Sequence, residues 1–228
     1  MKKYGINFKL NIIPNNKITN VFIHGLNGSS FQWDYFLDIS QNYLVVDLPS
    51  HGSSDNITNF NIDEYTMRLE KLITRLDLGE VNLIGHSLGG ALALKLTNSK
   101  SITIKNVVLI NSCHIMRINP EVNIKLFNDR VLKNKKYSIK EKLKYDINMS
   151  KLNIGEDPIY FKINNFNKKY KYILIYSGND KIISKRKVKK LETILQYFSS
   201  YELVDSNHYS HLEEENKVKN ILEAHKIL

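Results

Sequence analysis

Cysteine is almost absent from this sequence, because Cys113 is the only one in 228 residues. A single cysteine excludes an internal disulfide and offers no cysteine cluster for a metal, so we predict neither a disulfide nor a metal site. No apolar run approaches the roughly 20 residues that a membrane-spanning helix needs. The first residues also lack the apolar segment of a secretion signal, and we therefore expect a cytoplasmic location without a spanning membrane segment.

The overall composition is that of a soluble globular protein, with 42% apolar and 25% charged residues. A chain of 228 residues fits one domain with a sizeable core. The net charge of +10 is unevenly distributed, since 13 of the 33 basic residues but only 6 of the 23 acidic residues fall between residues 113 and 169. This stretch is rich in Lys and Asn and only moderately periodic. We predict that it is an insertion into the fold.

Strand-like and helix-like segments alternate along the rest of the chain. Strands are predicted at residues 4–12, 18–23, 43–47, 81–84, 107–110, 172–176 and 201–204, and helices at 31–39, 62–76, 91–96, 184–198 and 212–226. Alternation of this kind predicts an α/β fold with a mostly parallel sheet covered by helices on both faces.

One short motif, Gly-x-Ser-x-Gly at residues 85–89, lies between an apolar strand and a helix of small residues. This order of strand, sharp turn and helix is typical of a nucleophile elbow, in which a strained turn exposes the serine. Gly85 and Gly89 would let the strand and the helix pass closely. The motif predicts that Ser87 is the nucleophile.

A serine hydroxyl needs a base, and the base needs an acid to orient it. In an α/β sheet these groups gather where the strands end at their carboxyl ends. Downstream of Ser87, the residues that follow strands in this way are Asp180 and His208, which we predict to be the acid and the base. Asp205 and His211 lie near the same loop, and His211 is the alternative base if that loop is longer.

Stabilising the oxyanion of the reaction requires two fixed N–H donors. One should be the backbone N–H of Leu88, the residue after the nucleophile, and the other that of Leu26 in the glycine-bearing loop after the second strand. His24 precedes this loop. We expect it to brace the loop, and we also keep it as a candidate substrate contact.

Several stretches together resemble the α/β-hydrolase superfamily, and the resemblance covers nearly the whole chain outside residues 114–169. They lie at residues 24–25, 47–55, 85–90, 178–180 and 207–213. The resemblance implies the α/β-hydrolase fold with a Ser87–His208–Asp180 triad and no cofactor. Two positions depart from the usual family pattern, because Ser50 and Asn207 stand where glycine is common. Where some relatives carry the acid, after the strand ending at residue 110, this chain has Asn111.

The resemblance also implies a division into a core, at residues 1–113 and 170–228, and a short cap at residues 114–169 that would roof the pocket. Apolar cap residues could line an acyl pocket or only dock the cap on the core. Basic cap residues, Arg117 and Arg130 among them, could attract an anionic substrate or carrier, such as a coenzyme A thioester or an acyl carrier protein. We expect no nucleic-acid partner, because no recognition motif is present.

These observations leave several functions open. The first is a serine hydrolase that cleaves a small-molecule carboxylic ester or thioester, with a carrier-bound ester as a variant. The second uses the same triad as the base of a lyase or carbon–carbon hydrolase, similar to the menaquinone-pathway synthase of this superfamily, with Arg117 and Arg130 clamping substrate carboxylates. The third is a binding protein that retains an idle triad.

Overall fold

A computed structural model of the chain describes residues 1–58, 60–118 and 159–228. The described strands are β1 (Lys2–Lys3), β2 (Ile6–Asn11), β3 (Ile18–Ile23), β4 (Tyr43–Asp47), β5 (Glu80–His86), β6 (Thr103–Ile110), β7 (Ile115–Ile118), β8 (Ile159–Lys162), β9 (Lys171–Ser177) and β10 (Tyr197–Leu203). The described helices are a 3₁₀ helix (Ser30–Phe36), α1 (Ile62–Leu76), α2 (Leu88–Leu96), α3 (Lys185–Glu192), α4 (Ser210–Glu213) and α5 (Glu215–Ala224).

Eight of these strands form one sheet in the order β1-β2-β4-β3-β5-β6-β9-β10. The pairs β1–β2 and β2–β4 are antiparallel, and every pair from β4–β3 to β9–β10 is parallel. The predicted mostly parallel sheet is therefore confirmed. Parallel pairing brings the carboxyl ends of β3, β5, β6, β9 and β10 to the same edge of the sheet.

Both faces of this sheet are covered, as predicted. Side chains alternate between the faces along each strand, so that Leu83 of β5 belongs to one apolar core and Ile84 to the other. The first core contains side chains of α1, α2 and α3, and the second contains those of the 3₁₀ helix and α5. The sheet is thus the middle layer of three.

The main differences from the predicted elements lie near the chain ends. The expected strand at 4–12 is shorter and spans Ile6–Asn11. Tyr4 and Gly5, whose φ values are 53° and 75°, instead make a tight turn between β1 and β2. The expected helix at 184–198 ends at Glu192. The aromatic residues Tyr197 and Phe198 instead begin β10, which pairs with β9 along its full length. The last predicted helix is divided into α4 and α5.

The expected helix at 31–39 is a shorter 3₁₀ helix. Of the predicted cap, only its two ends lie among the described residues, where β7 and β8 pair antiparallel. The division into core and cap therefore stays a prediction. No helix in the described parts of the chain has both the length and the apolar character needed to cross a bilayer.

Candidate active site

The sheet order explains why distant residues meet at one place. Ser87 directly follows β5, Asp180 comes three residues after the end of β9, and His208 comes five residues after the end of β10. Because β5, β6, β9 and β10 are neighbours in the sheet, these three residues lie along the same carboxyl edge. All three are buried, with exposed fractions of 5%, 9% and 3% respectively.

The backbone of the elbow is strained at the serine. Ser87 has φ 50° and ψ −117°, a conformation that costs a non-glycine residue about 1–3 kcal/mol. The surrounding contacts leave no room for side chains: a Cβ on Gly85 would lie 2.4 Å from the backbone of Gly89, and one on Gly89 would lie 2.2 Å from the oxygen of Ile23. The predicted need for small residues at both positions is confirmed.

The three predicted residues form a continuous hydrogen-bonded series. His208 Nδ1 lies 2.9 Å from Asp180 Oδ2, and His208 Nε2 lies 2.9 Å from Ser87 Oγ. The carboxylate can only accept, so Nδ1 carries the proton and Nε2 accepts from the serine hydroxyl. This tautomer is the one in which an imidazole can take a proton from serine.

The carboxylate of Asp180 is held at both oxygens. Its Oδ1 accepts from the backbone N–H groups of Ile182 at 2.8 Å and Ile183 at 2.9 Å. Burial alone would raise the pKa of this carboxyl, but His208 and the two N–H groups outweigh burial, and the pKa lies below its usual value. Asp180 is therefore ionised at neutral pH.

Asn111 is a site residue whose role the sequence analysis missed, having noted it only as the absence of an acid. It follows β6 directly, and its Nδ2 donates to Asp180 Oδ2 at 2.9 Å. The signal that could have found it is its position: a polar residue directly after a buried strand that lies between the strands of Ser87 and Asp180.

Two further histidines pack behind the triad. His86 Nε2 donates to the carbonyl oxygen of His208 at 2.8 Å. His211 packs against His86, with ring centroids 4.2 Å apart, and against Trp33 at 4.9 Å, with both ring pairs tilted. Neither ring nitrogen of His211 has a hydrogen-bond partner among the described residues. His208, rather than His211, contacts Ser87.

The two predicted oxyanion donors lie beside the elbow. Leu88 is the first residue of α2, where a backbone N–H has no acceptor within the helix. In the part of the chain that the structure describes, the N–H of Leu26 also has no acceptor. Gly25 packs directly on the elbow, because a Cβ placed there would lie 3.1 Å from that of Ser87.

His24 braces the loop, as expected. Its Nδ1 donates to the oxygen of Gly25 at 2.6 Å, and its Nε2 accepts from the N–H of Leu48 at 2.9 Å. The side chain is fully buried, and burial lowers its pKa. These contacts leave no ring nitrogen for a substrate, so we do not retain His24 among the candidate substrate contacts.

The two departures from the family pattern have different structural consequences. Ser50 has φ 61°, which explains why glycine is common there, and its Oγ accepts from the N–H of Ile57 at 2.8 Å. Asn207 has no positive φ, so its backbone does not require glycine. Its N–H instead donates to Glu213 Oε2 at 2.8 Å, which ties the loop before His208 to α4.

Of the candidate substrate-binding arginines, Arg117 is exposed on β7, and Arg130 lies outside the described residues. Other basic side chains lie near this end of the insertion. Burial lowers the pKa of His114 most, and the charges of Lys190, Lys162 and Lys168 lower it further. Positive charge therefore collects next to the residues that follow β6.

Comparison with known proteins gives a family and a set of relatives. A family model described as alpha/beta hydrolase fold matches residues 21–137. A 2-succinyl-6-hydroxy-2,4-cyclohexadiene-1-carboxylate synthase from Escherichia coli O8 is 38% identical over 78 residues, and one from Shigella dysenteriae serotype 1 is 36% identical over 76 residues. Each match covers 32% of this chain and 30% of the synthase.

Solved structures match over nearly the full length. An enol-lactonase from Burkholderia xenovorans LB400 matches with a TM-score of 0.73 at 17% identity. The match covers 96% of this chain and 95% of the lactonase chain. An esterase from Exiguobacterium antarcticum has a TM-score of 0.74 at 15% identity, covering 96% and 94%. At these identities the likeness establishes the shared fold, which agrees with the predicted one.

Proposed function

Because the chain belongs to the alpha/beta hydrolase family, we propose that it is a serine hydrolase that cleaves a carboxylic ester or thioester through an acyl-enzyme at Ser87. The single observation that carries this proposal is the hydrogen-bonded series from Ser87 Oγ through His208 to Asp180, with both contacts at 2.9 Å. A pure binding protein would need neither the strained serine nor the correctly protonated imidazole.

In the proposed reaction, Ser87 Oγ attacks the carbonyl carbon of the substrate while His208 Nε2 takes the hydroxyl proton. The imidazolium then gives this proton to the departing alkoxide or thiolate, which leaves an acyl group on Ser87. His208 next takes a proton from water, whose oxygen attacks the acyl carbonyl. The imidazolium then gives this proton to Ser87 Oγ as the bond between Oγ and the acyl carbon breaks, which releases the carboxylic acid and restores the free serine. The carboxylate of Asp180 stabilises the imidazolium in both halves of the reaction, and no cofactor takes part.

The oxyanion of each tetrahedral intermediate would accept from the N–H groups of Leu26 and Leu88. Leu88 follows Ser87 in the chain, and Leu26 follows Gly25, which packs on the elbow; the positive end of the α2 dipole would add to their effect. Losing one such donor typically lowers the rate by about 10²–10³-fold. A backbone donor cannot be removed by ordinary mutation, but a Gly25→Ala variant would place a Cβ 2.7 Å from His86 Nδ1 and displace the loop.

An assay with a fluorophosphonate probe and a panel of acyl esters and thioesters tests this proposal. We expect stoichiometric labelling of the wild-type protein and turnover of at least one ester or thioester, with both lost in Ser87→Ala. A His225→Gln variant is the control, because this histidine lies at the end of α5 and contacts Tyr201 rather than the triad. Absence of labelling in folded wild-type protein would refute the proposal.

The anionic-substrate idea remains a proposal within this function. Exposed Arg117 and the lysines near His114 support it through their charge. Hydrolysis of a coenzyme A thioester should fall steeply with added salt and in Lys190→Gln, while hydrolysis of an uncharged p-nitrophenyl ester should not. Lys71→Gln, on α1, is the matched control.

A second candidate function is a lyase or carbon–carbon hydrolase in which the triad serves as a base. The observation that favours it is the 38% identity to the cyclohexadiene carboxylate synthase. This candidate predicts negligible turnover of simple esters, formation of the carboxylate named in that relative, and strong loss in Arg130→Ala. Efficient ester turnover with Arg130→Ala unaffected would exclude it.

A further inference from the structure

Asn111 occupies a central position in the hydrogen bonding around the triad. It is fully buried and has φ 48°, a left-handed conformation that asparagine tolerates better than most residues. Its Nδ2 donates to Asp180 Oδ2 at 2.9 Å and to Ser177 Oγ at 2.8 Å. Its Oδ1 accepts from the hydroxyl of Ser210, two residues after His208.

The orientation of this amide follows from its partners. The Asp180 carboxylate only accepts, so the nitrogen of Asn111 must face it, and the oxygen then faces the Ser210 hydroxyl. The side chain therefore joins the loop that carries the acid to the loop that carries the base. Neither aspartate, which lacks the donors, nor leucine, which lacks both donor and acceptor, can replace these contacts.

We propose that Asn111 is a positioning residue that shares the negative charge of Asp180 and thereby sets how firmly His208 holds its proton. The inference rests on the proposed function for its catalytic meaning. Its test does not require the reaction to occur, because the contact between Asp180 and His208 exists without a substrate.

The direction of the effect follows from the four donors around the carboxylate. Oδ1 is held by the N–H groups of Ile182 and Ile183, while Oδ2 is shared between Asn111 and His208. Removing Asn111 leaves Oδ1 anchored, so the carboxylate stays in place. Its Oδ2 then interacts with His208 alone, and the protonated imidazole becomes more stable.

The test compares Asn111→Gly, which keeps the backbone conformation without strain, with the wild type. Asn111→Ser is the second variant, because this chain already accepts a serine at positive φ at position 50. The matched control is Asn106→Ala, which removes a buried amide on the same strand that donates to Asn82 Oδ1 at 2.8 Å. Circular dichroism establishes that each variant is folded.

The first readout is the pH dependence of fluorophosphonate labelling at Ser87. We expect the acid limb to move about 0.5–1 pH unit upward in both Asn111 variants and to stay in place in Asn106→Ala. An unmoved limb would overturn the proposal, since a merely structural role predicts only lower stability. A downward movement, or the same movement in the control, would overturn it equally.

The second readout is the far-downfield proton resonance of the hydrogen bond between His208 and Asp180, assigned by its loss in Asp180→Asn. Its titration midpoint should move upward in the Asn111 variants and not in Asn106→Ala. This readout needs no substrate or probe. Wild-type protein that shows the resonance but no labelling would therefore refute the proposed function, while the titration would still decide the role of Asn111.

Discussion

Lowering the pH below about 6.5, the ordinary pKa of histidine, should destabilise this fold steeply. The cause is a set of histidines that are buried in the neutral form. Burial lowers the pKa of both His51 and His211 to about 3, and it also lowers the pKa values of His24 and His86. In the unfolded chain each of these side chains would become charged near its ordinary pKa.

The size of the loss of stability follows from the two histidines whose pKa values are lowered to about 3, His51 and His211. Between about pH 3 and pH 6.5 the unfolded chain binds more protons than the folded one, so stability falls as the pH falls. At about pH 5.5 His51 and His211 each cost about 1.4 kcal/mol relative to about pH 8, or about 3 kcal/mol together. His24 and His86 act in the same direction. The depressed pKa of Asp180 also lowers stability as the pH falls, but only below about pH 5.

Such a loss is a large part of the roughly 5–15 kcal/mol that stabilises an ordinary domain. It can be measured by denaturant unfolding at a series of pH values, followed by circular dichroism. The free energy of unfolding should fall by at least about 2.7 kcal/mol per pH unit below pH 6, which corresponds to at least two protons.

A substitution at His211 isolates one of these protons. Neither ring nitrogen of His211 has a partner among the described residues, so His211→Phe loses no hydrogen bond and keeps a ring between Trp33 and His86. The slope should become about 1.4 kcal/mol per pH unit shallower. Leu69→Ala, which removes a buried apolar side chain of α1, is the control that lowers stability without changing the slope. An unchanged slope in His211→Phe would show that His211 is not held in the neutral form by burial.

Three further predictions concern the site and the sheet. Asp180→Asn should lower kcat for an ester by about 10⁴-fold with little change in stability. Kinetics and thermal unfolding of the same preparation would test this, and a loss of activity below tenfold would contradict it. Gly85→Ala should abolish labelling and destabilise the fold by about 3 kcal/mol or more, because its Cβ would meet the backbone of Gly89 at 2.4 Å; retained labelling would contradict this. Asn82→Leu should cost about 2–4 kcal/mol, because Asn20 Oδ1 loses its donor and Asn106 Nδ2 loses its acceptor. It should leave kcat unchanged, and a fall in kcat would show that this amide ladder reaches the site.

The sequence was sufficient to predict the sheet and the location of the site. Regular strands such as β3 and β4 were predicted at their observed bounds, because alternation and turn residues identify them locally. Ser87, Asp180 and His208 were recognisable because each follows a strand, and parallel strands bring such positions to one edge. The strained backbone of Ser87 was predictable for a different reason, since Gly85 and Gly89 on either side of it are typical of a sharp turn between a strand and a helix.

What the sequence could not supply was the pairing of side chains across that edge. In the sequence, Asn111 indicates only that no acid follows β6. The position of β6 between β5 and β9 is what places the Asn111 amide against Asp180. The sequence likewise gives no partner for His86, because its hydrogen bond to the carbonyl oxygen of His208 depends on the loop after β10. The 3₁₀ helix and the early end of α3 depend on tertiary packing that local periodicity does not encode.

The proposed reaction requires that Ser87 becomes covalently acylated during turnover. Acid quenching during turnover of a p-nitrophenyl ester, followed by peptide mass spectrometry, measures this directly. We expect the peptide containing Ser87 to carry the mass of the acyl group, and the adduct to be absent from Ser87→Ala. Turnover without an adduct on Ser87, or an adduct that persists in Ser87→Ala, would contradict it.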